Sequence, residues 1–253
     1  MIDLHCHLLP AVDDGSRSVD QSVRVLEEMA RQGVTDVCLT PHLPAGRAES
    51  GPPVAHQRAF DELRAAAPMK PQLHRGAEIM LDRPITRPVA LARNVTLGGS
   101  RYVLVEFPRL VAYDTVTNAL TQVAELGLIP LLAHPERYSC CSPDAVRHWR
   151  SVGAKMQVDA TTLLATQARG QRARQLVGEG LADILAGDNH GDDRTVATGA
   201  RFLEAQDGAE QVDLLLVRNP SAILEDKALS PVPPIRIRQS WMRRIKEFLE
   251  GGR

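Results

Sequence analysis

Short apolar runs alternate along this chain with longer stretches in which apolar residues recur every three or four positions. MIDLHCH opens it, and residues 19 to 32 follow, with Val19, Val23, Leu26, Met29 and Ala30 at helical spacing and Gly33 as a stop. Next come DVCLTPH, a helical stretch near 54 to 66, QLHRGAEIML, and YVLVEFP, which is rich in β-branched and aromatic residues. Residues 115 to 126 have helical periodicity and end at Gly127. LIPLLAHPE, a helix opened by Ser142-Pro143-Asp144, KMQVDA, a helix near 167 to 179 and ADILAGDNH complete the series. Seven strands, mostly separated by helices, predict parallel pairing and an α/β fold closed or nearly closed as a TIM-like barrel. An open doubly wound sheet is the alternative, but no GxGxxG follows the first strand. The Pro/Gly-rich stretch 44 to 53 (PAGRAESGPP) is expected to form a mobile rim loop.

Composition narrows this picture only slightly. The 253 residues suit a single domain over 1–253, ending in a proline-rich link and a basic amphipathic tail at 231–253. A formal net charge of -1 supplies no field to recruit nucleic acid or an anionic membrane. No run approaches the roughly 18 apolar residues of a membrane span, and the first residues lack the basic and apolar regions of a signal peptide. Cys6, Cys38, Cys140 and Cys141 form no CxxC pair, which fits a reduced compartment. A cytoplasmic protein without stable membrane insertion is expected.

The informative feature is where the polar residues fall. His5 and His7 end the first strand, His42 the second, Glu78 the third, Glu106 the fourth, His134 the fifth, and Asp188 with His190 the seventh. The C-terminal strand ends of a β/α barrel converge on one mouth, so residues scattered along the chain would meet there. Each follows an apolar run, where an unpartnered charge or imidazole is costly. Imidazoles mixed with carboxylates suit divalent manganese, iron or zinc, and the set exceeds what one ion needs. A cluster of two or three ions is the economical reading, and such clusters suit phosphoryl displacement.

DLHCH, TPH at His42, GAE at Glu78, EF at Glu106, AHPERY and GDNH together resemble the polymerase and histidinol phosphatase (PHP) superfamily. Within it, DLHCHLLPAVDDGSRS and PLLAHPERY are most similar to the metal-dependent tyrosine-protein phosphatases of bacterial capsule and exopolysaccharide loci. The similarity runs from residue 1 to about residue 225. It implies a distorted (β/α)7 barrel of PHP type, manganese as the foremost metal with iron, zinc or cobalt as alternatives, and hydrolysis of phosphotyrosine. It further implies that one ion takes His5, His7, Glu78 and Asp188, a second Glu78, Glu106 and His134, and a third His42, His190 and an aspartate of VDDG, with Asp14 preferred to Asp13. Arg137 of HPERY would clamp the phosphate, for which a guanidinium fork is well shaped. The family usually carries a second arginine five residues after the last histidine; here that position is Thr195, and Arg194 stands one place earlier as the candidate replacement. A protonated group at the mouth, His42 or an aspartate of VDDG, would assist the leaving oxygen.

The substrate class implied is a phosphotyrosine protein, a membrane-anchored bacterial tyrosine kinase, with an oligomeric enzyme left open. Two alternatives keep the same ligands: a small-molecule phosphoesterase such as a histidinol-phosphate phosphatase, and a non-catalytic metal-binding module that docks a kinase. A second signature, Cys141 and Arg147 in a CX5R spacing, matches cysteine-dependent phosphatases but lacks the glycine-containing loop that cradles phosphate. It reads as an accident of an ordinary helix cap.

Overall fold

The computed structural model describes residues 1–238; most of the basic tail, including Trp241, Arg243, Arg244 and Lys246, lies outside the described residues. Strands form on the apolar runs: β1 (Ile2–Cys6), β2 (Asp36–Leu39), β3 (His42–Pro44), β4 (Gln72–Arg75), β5 (Glu78–Met80), β6 (Tyr102–Glu106), β7 (Ile129–Ala133), β8 (Lys155–Asp159) and β9 (Ile184–Ala186). All pairings are parallel, in the orders β1-β2-β4 and β3-β5-β6-β7-β8-β9.

Two of the expected strands are each broken in two. DVCLTPH is interrupted at Pro41, which has no N–H to give a ladder, while the neighbouring Thr40 Oγ1 accepts from Cys6 N (3.0 Å). QLHRGAEIML breaks at Gly76, where a Cβ would sit 2.9 Å from Cys38 Sγ. Pairing nevertheless continues across the kinks: Gly76 N donates to Leu39 O (3.0 Å) and Glu78 N to Pro41 O (3.1 Å). At the other seam Asp188 N donates to His5 O (2.9 Å) and His7 N to Asn189 O (2.7 Å). Counted with their kinks, the strands are the seven staves of a distorted (β/α)7 barrel. One consequence corrects the sequence reading: His42 and Glu78 do not end strands but open β3 and β5, where they stand side by side in register.

Helices Val19–Arg31, Val54–Ala66, Tyr113–Glu125, Pro143–Ser151 and Ala168–Gly178 fall where periodicity places them. Ser18 and Ser142 cap the first and fourth, accepting from Gln21 N and Ala145 N (3.2 Å each). The helices Val196–Glu204 and Asn219–Leu224 were not anticipated. Nor is 44–53 simply a loop: a helical turn, Ala45–Ala48, buries Ala45 and Ala48.

Apolar side chains fill the barrel where the strands begin. Ile2, Leu4, Tyr102, Leu104, Leu131 and Ile184 pack there with Ile223 of the helix Asn219–Leu224, and Tyr102 Oη donates to Lys227 O (2.6 Å). On β6, Tyr102, Leu104 and Glu106 share one face, so the same stave passes from apolar floor to acidic mouth. Residues 231–238 lie across the barrel's outer layer: Ile235 N donates to Gly178 O (3.0 Å) and Arg238 pairs with Asp207 (2.6 Å). The chain passes so close to Gly180 (φ +67°) that a Cβ would come within 2.4 Å of Val232 O.

Leu104 tests the floor. It is fully buried, and Leu104→Ala should cost about 2–5 kcal/mol, seen as a lower urea midpoint at unchanged slope. A loss under about 1 kcal/mol would mean that the floor is not closely packed.

Candidate metal centre

Five imidazoles and four carboxylates meet at the mouth, in four overlapping groups: His7, Asp14, His42 and His190; His5, Glu78 and His134; His5, His7 and Asp188; His42, Glu78 and Glu106. All nine residues expected to serve as ligands are therefore together. Alternation along β1 turns His5 and His7 to the same side. His134 and Asp188 stand just past their strands in left-handed backbone (φ 34° and 48°), a conformation costly for non-glycine residues and found where a site needs it.

Glu78 is the hub. It is fully buried, with Oε2 lying 3.2 Å from His5 Nε2, 3.3 Å from His7 Nε2 and 3.0 Å from His42 Nδ1, and with Oε1 3.0 Å from His134 Nε2. Burial would raise its pKa, but His5, His134 and His42 hold it well below the usual carboxylate range. Glu106 faces His42 (3.0 Å), on the other side of Glu78 from His134, so the structure groups Glu106 with His42 rather than with His134. Asp14 Oδ1 lies 3.3 Å from His42 Nε2 and 3.5 Å from His190 Nε2. Asp13 turns the other way: its carboxylate accepts from His7 Nδ1 (2.9 Å) and from His42 N (3.1 Å).

The donor set fits divalent cations on geometry alone. Glu78 Oε2 and His42 Nδ1 are buried and 3.0 Å apart, yet neither has an aligned hydrogen bond. The two ring nitrogens His5 Nε2 and His7 Nε2 face each other at 3.1 Å. Lone pairs converging on shared gaps, at distances too short for separate solvation, are what cations between them would satisfy. The outer ring nitrogens of His5 and His7 are also held, His5 Nδ1 by Gln157 Oε1 (2.9 Å) and His7 Nδ1 by Asp13, which directs both Nε2 atoms inward.

Two arginines reach the same cluster. Arg137 donates to Asp159 (2.8 Å) and to Asp188 Oδ2, and Arg194 NH1 lies 3.5 Å from that same oxygen while its other nitrogens grip Asp192 (2.8–3.1 Å). Asp188 Oδ1 meanwhile faces His5 and His7 (3.4 Å each). One carboxylate thus separates imidazoles from guanidiniums.

Gln157, Asp159 and the outward role of Asp13 escaped the sequence reading. The signal was present: Gln157 and Asp159 repeat on β8 the i, i+2 polar spacing of His5 and His7. The CX5R pair lacks the environment of a reactive thiolate. Burial pushes the Cys141 thiol up to about 12, and Arg147 is engaged by Asp144 (2.8 Å) and Glu179.

The profile of a family described as capsular polysaccharide synthesis, CpsB/CapC, matches residues 1–225. The chain belongs to the CpsB/CapC family. Among similar members, tyrosine-protein phosphatase CpsB of Streptococcus agalactiae is 26% identical over 241 residues, covering 89% of this chain and 99% of that protein. Tyrosine-protein phosphatase YwqE of Bacillus subtilis is 29% identical over 248 residues, covering 92% and 95%. A chain from crystal structures of YwqE and of CpsB from Streptococcus pneumoniae, described as unique metal-dependent tyrosine phosphatases, superposes with a TM-score of 0.78. It is 25% identical and covers 94% of this chain and 100% of that one. An organophosphorus hydrolase from Deinococcus radiodurans shares the fold alone, with a TM-score of 0.54 at 15% identity over 88% of this chain and 92% of that one.

The carboxylates of this CpsB/CapC mouth favour the protonated form of the histidines they face. Burial would lower the pKa of His42, but Glu106 and Glu78 raise it to about 10; His7 is likewise held well above the ordinary imidazole value, against burial, by Asp13, Asp188 and Glu78. A divalent cation bound by these imidazoles would displace the protons, since a ligating imidazole is neutral. Manganese added to chelator-stripped protein should therefore acidify a weakly buffered solution, and its affinity should rise between about pH 6 and pH 8. Affinity flat across that range, with no proton release, would contradict this charge balance.

Proposed function

We propose that the chain is a cytoplasmic, metal-dependent protein-tyrosine phosphatase whose substrate is a phosphotyrosine protein, a membrane-anchored bacterial tyrosine kinase of capsule or exopolysaccharide synthesis. The observation that carries the reading is Asp188, with imidazoles on Oδ1 and two guanidiniums on Oδ2, which puts anion-binding forks beside the cation cluster. The names of the CpsB and YwqE relatives support the same activity.

In this reading His5, His7, Glu78 and Asp188, Glu106 with His42 and His134 on either side of Glu78, and His190 with Asp14 hold two or three divalent ions, manganese foremost. When bound, such ions supply an acidified water and positive charge for phosphoryl oxygens. Arg137, fixed between Asp159 and Asp188, presents its fork to the phosphate with little freedom to lose. Arg194 takes the place of the second arginine from its position beside Asp192. Both ring nitrogens of His42 face carboxylates, which supports the ligand role for His42 over that of the acid assisting the leaving oxygen. A phenolate, whose conjugate acid has a pKa near about 10, leaves with little assistance. No covalent phosphoenzyme is needed, and Cys141 has no part in the reaction.

Arg137→Ala should lower kcat/KM on a phosphotyrosine peptide by about 10²-fold or more, whereas Cys141→Ser leaves it unchanged. The intact enzyme should prefer that peptide to histidinol phosphate. Loss of activity in Cys141→Ser with Arg137→Ala unaffected would refute the mechanism, and a preference for histidinol phosphate would refute the substrate.

A further inference from the structure

Beside the mouth, the helix Val19–Arg31 and the loop 189–195 enclose a cleft of about 540 Å3, within the range of volumes that hold ligands. The loop is fastened to the helix at both ends: Gln21 Nε2 donates to Gly191 O (2.8 Å), and Thr195 Oγ1 donates to Gln32 Oε1 (2.7 Å). Asn189 ties the span between them, donating from Nδ2 to Asp192 O (2.9 Å) and Arg194 O (2.5 Å). The cleft is preformed, so filling it costs little ordering of the protein.

Arg194 joins this cleft to the mouth, lining the one and reaching Asp188 Oδ2 in the other. The remaining charges are sorted. Glu28 is matched by Arg31 (2.7 Å) and Asp192 by Arg194 (2.8 Å). Arg24 and Asp193 also line the cleft, both exposed, and neither has a hydrogen bond or ion pair among the described residues. A small phosphate ester ends at the arginines; only a chain continuing past them fills the space beyond and meets the two unmatched charges.

We infer that this cleft docks the polypeptide flanking the phosphotyrosine, and selects a segment with a basic side chain near the phosphotyrosine, opposite Asp193, and an acidic one farther along, opposite Arg24. We take that order from Asp193 adjoining Arg194, the cleft residue that reaches Asp188 in the mouth. The inference rests on the phosphotyrosine reading above, and it adds a specificity that depends on charge order along the substrate.

The test uses the full chain with manganese, two phosphotyrosine peptides and para-nitrophenyl phosphate. One peptide carries lysine near the phosphotyrosine and glutamate farther along; the other has the two exchanged. The first should have the lower KM. Arg24→Glu should raise its KM by about 3- to 10-fold at unchanged kcat, and leave para-nitrophenyl phosphate unaffected. Arg24→Glu combined with Asp193→Lys should invert the preference between the peptides. Turnover of both peptides with no response to charge order, or an equal rise in KM for para-nitrophenyl phosphate, would overturn the docking inference alone. Absence of turnover on both peptides, with para-nitrophenyl phosphate still hydrolysed, would overturn the phosphotyrosine reading and the inference with it.

Discussion

An ionised carboxylate that is wholly buried, Glu78, imposes the main constraint on this barrel. It needs positive charge from several directions, and nitrogens of His5, His7, His42 and His134 come within 3.0–3.3 Å of its two oxygens. Those histidines arrive on three staves, His5 and His7 together, so the hub holds together segments that are far apart in sequence. The kinks at Pro41 and Gly76 follow from the same demand, because they set His42 and Glu78 in register as the openings of β3 and β5. The left-handed backbone at His134 and Asp188 is a further cost, offset by the contacts that both side chains make.

Around that hub the staves divide the labour by depth. Leu104 and Tyr102 lie below Glu106 on one strand, with Ile223 closing the floor, so the apolar end supplies stability and the polar end chemistry. Outside the ring, Gln157 and Asp13 fix the outer nitrogens of His5 and His7 and leave their inner nitrogens free to serve cations. Asp188 carries this ordering outward, since Arg137 and Arg194 meet on its far oxygen. Imidazoles and guanidiniums are thereby held a single carboxylate apart.

Much of this was legible in the sequence because barrel topology turns strand ends into a list of neighbours. His5, Glu78, Glu106, His134 and Asp188 could be brought together without coordinates, each being a polar residue closing an apolar run. The kinks were not legible: an apolar run with a proline or a glycine in it looks like one strand until its partners are known. Helix Val196–Glu204 escaped because its polar face is narrow: Val196, Ala197, Gly199, Ala200, Phe202 and Leu203 are buried, and only Thr198, Arg201 and Glu204 mark the outer side. Gln157 escaped for a different reason. Its i, i+2 spacing with Asp159 marks a polar strand end, but its hold on the His5 ring (2.9 Å) and on His134 N (3.3 Å) appears only in three dimensions.

The central claim is that a buried imidazole–carboxylate cluster, completed by divalent cations, runs the hydrolysis. Its most direct test is phosphotyrosine hydrolysis by protein stripped with chelator and then given back manganese in measured steps. The account predicts that stripping abolishes activity and that about two or three equivalents restore it. Full activity in the stripped protein, indifferent to added metal, would contradict it.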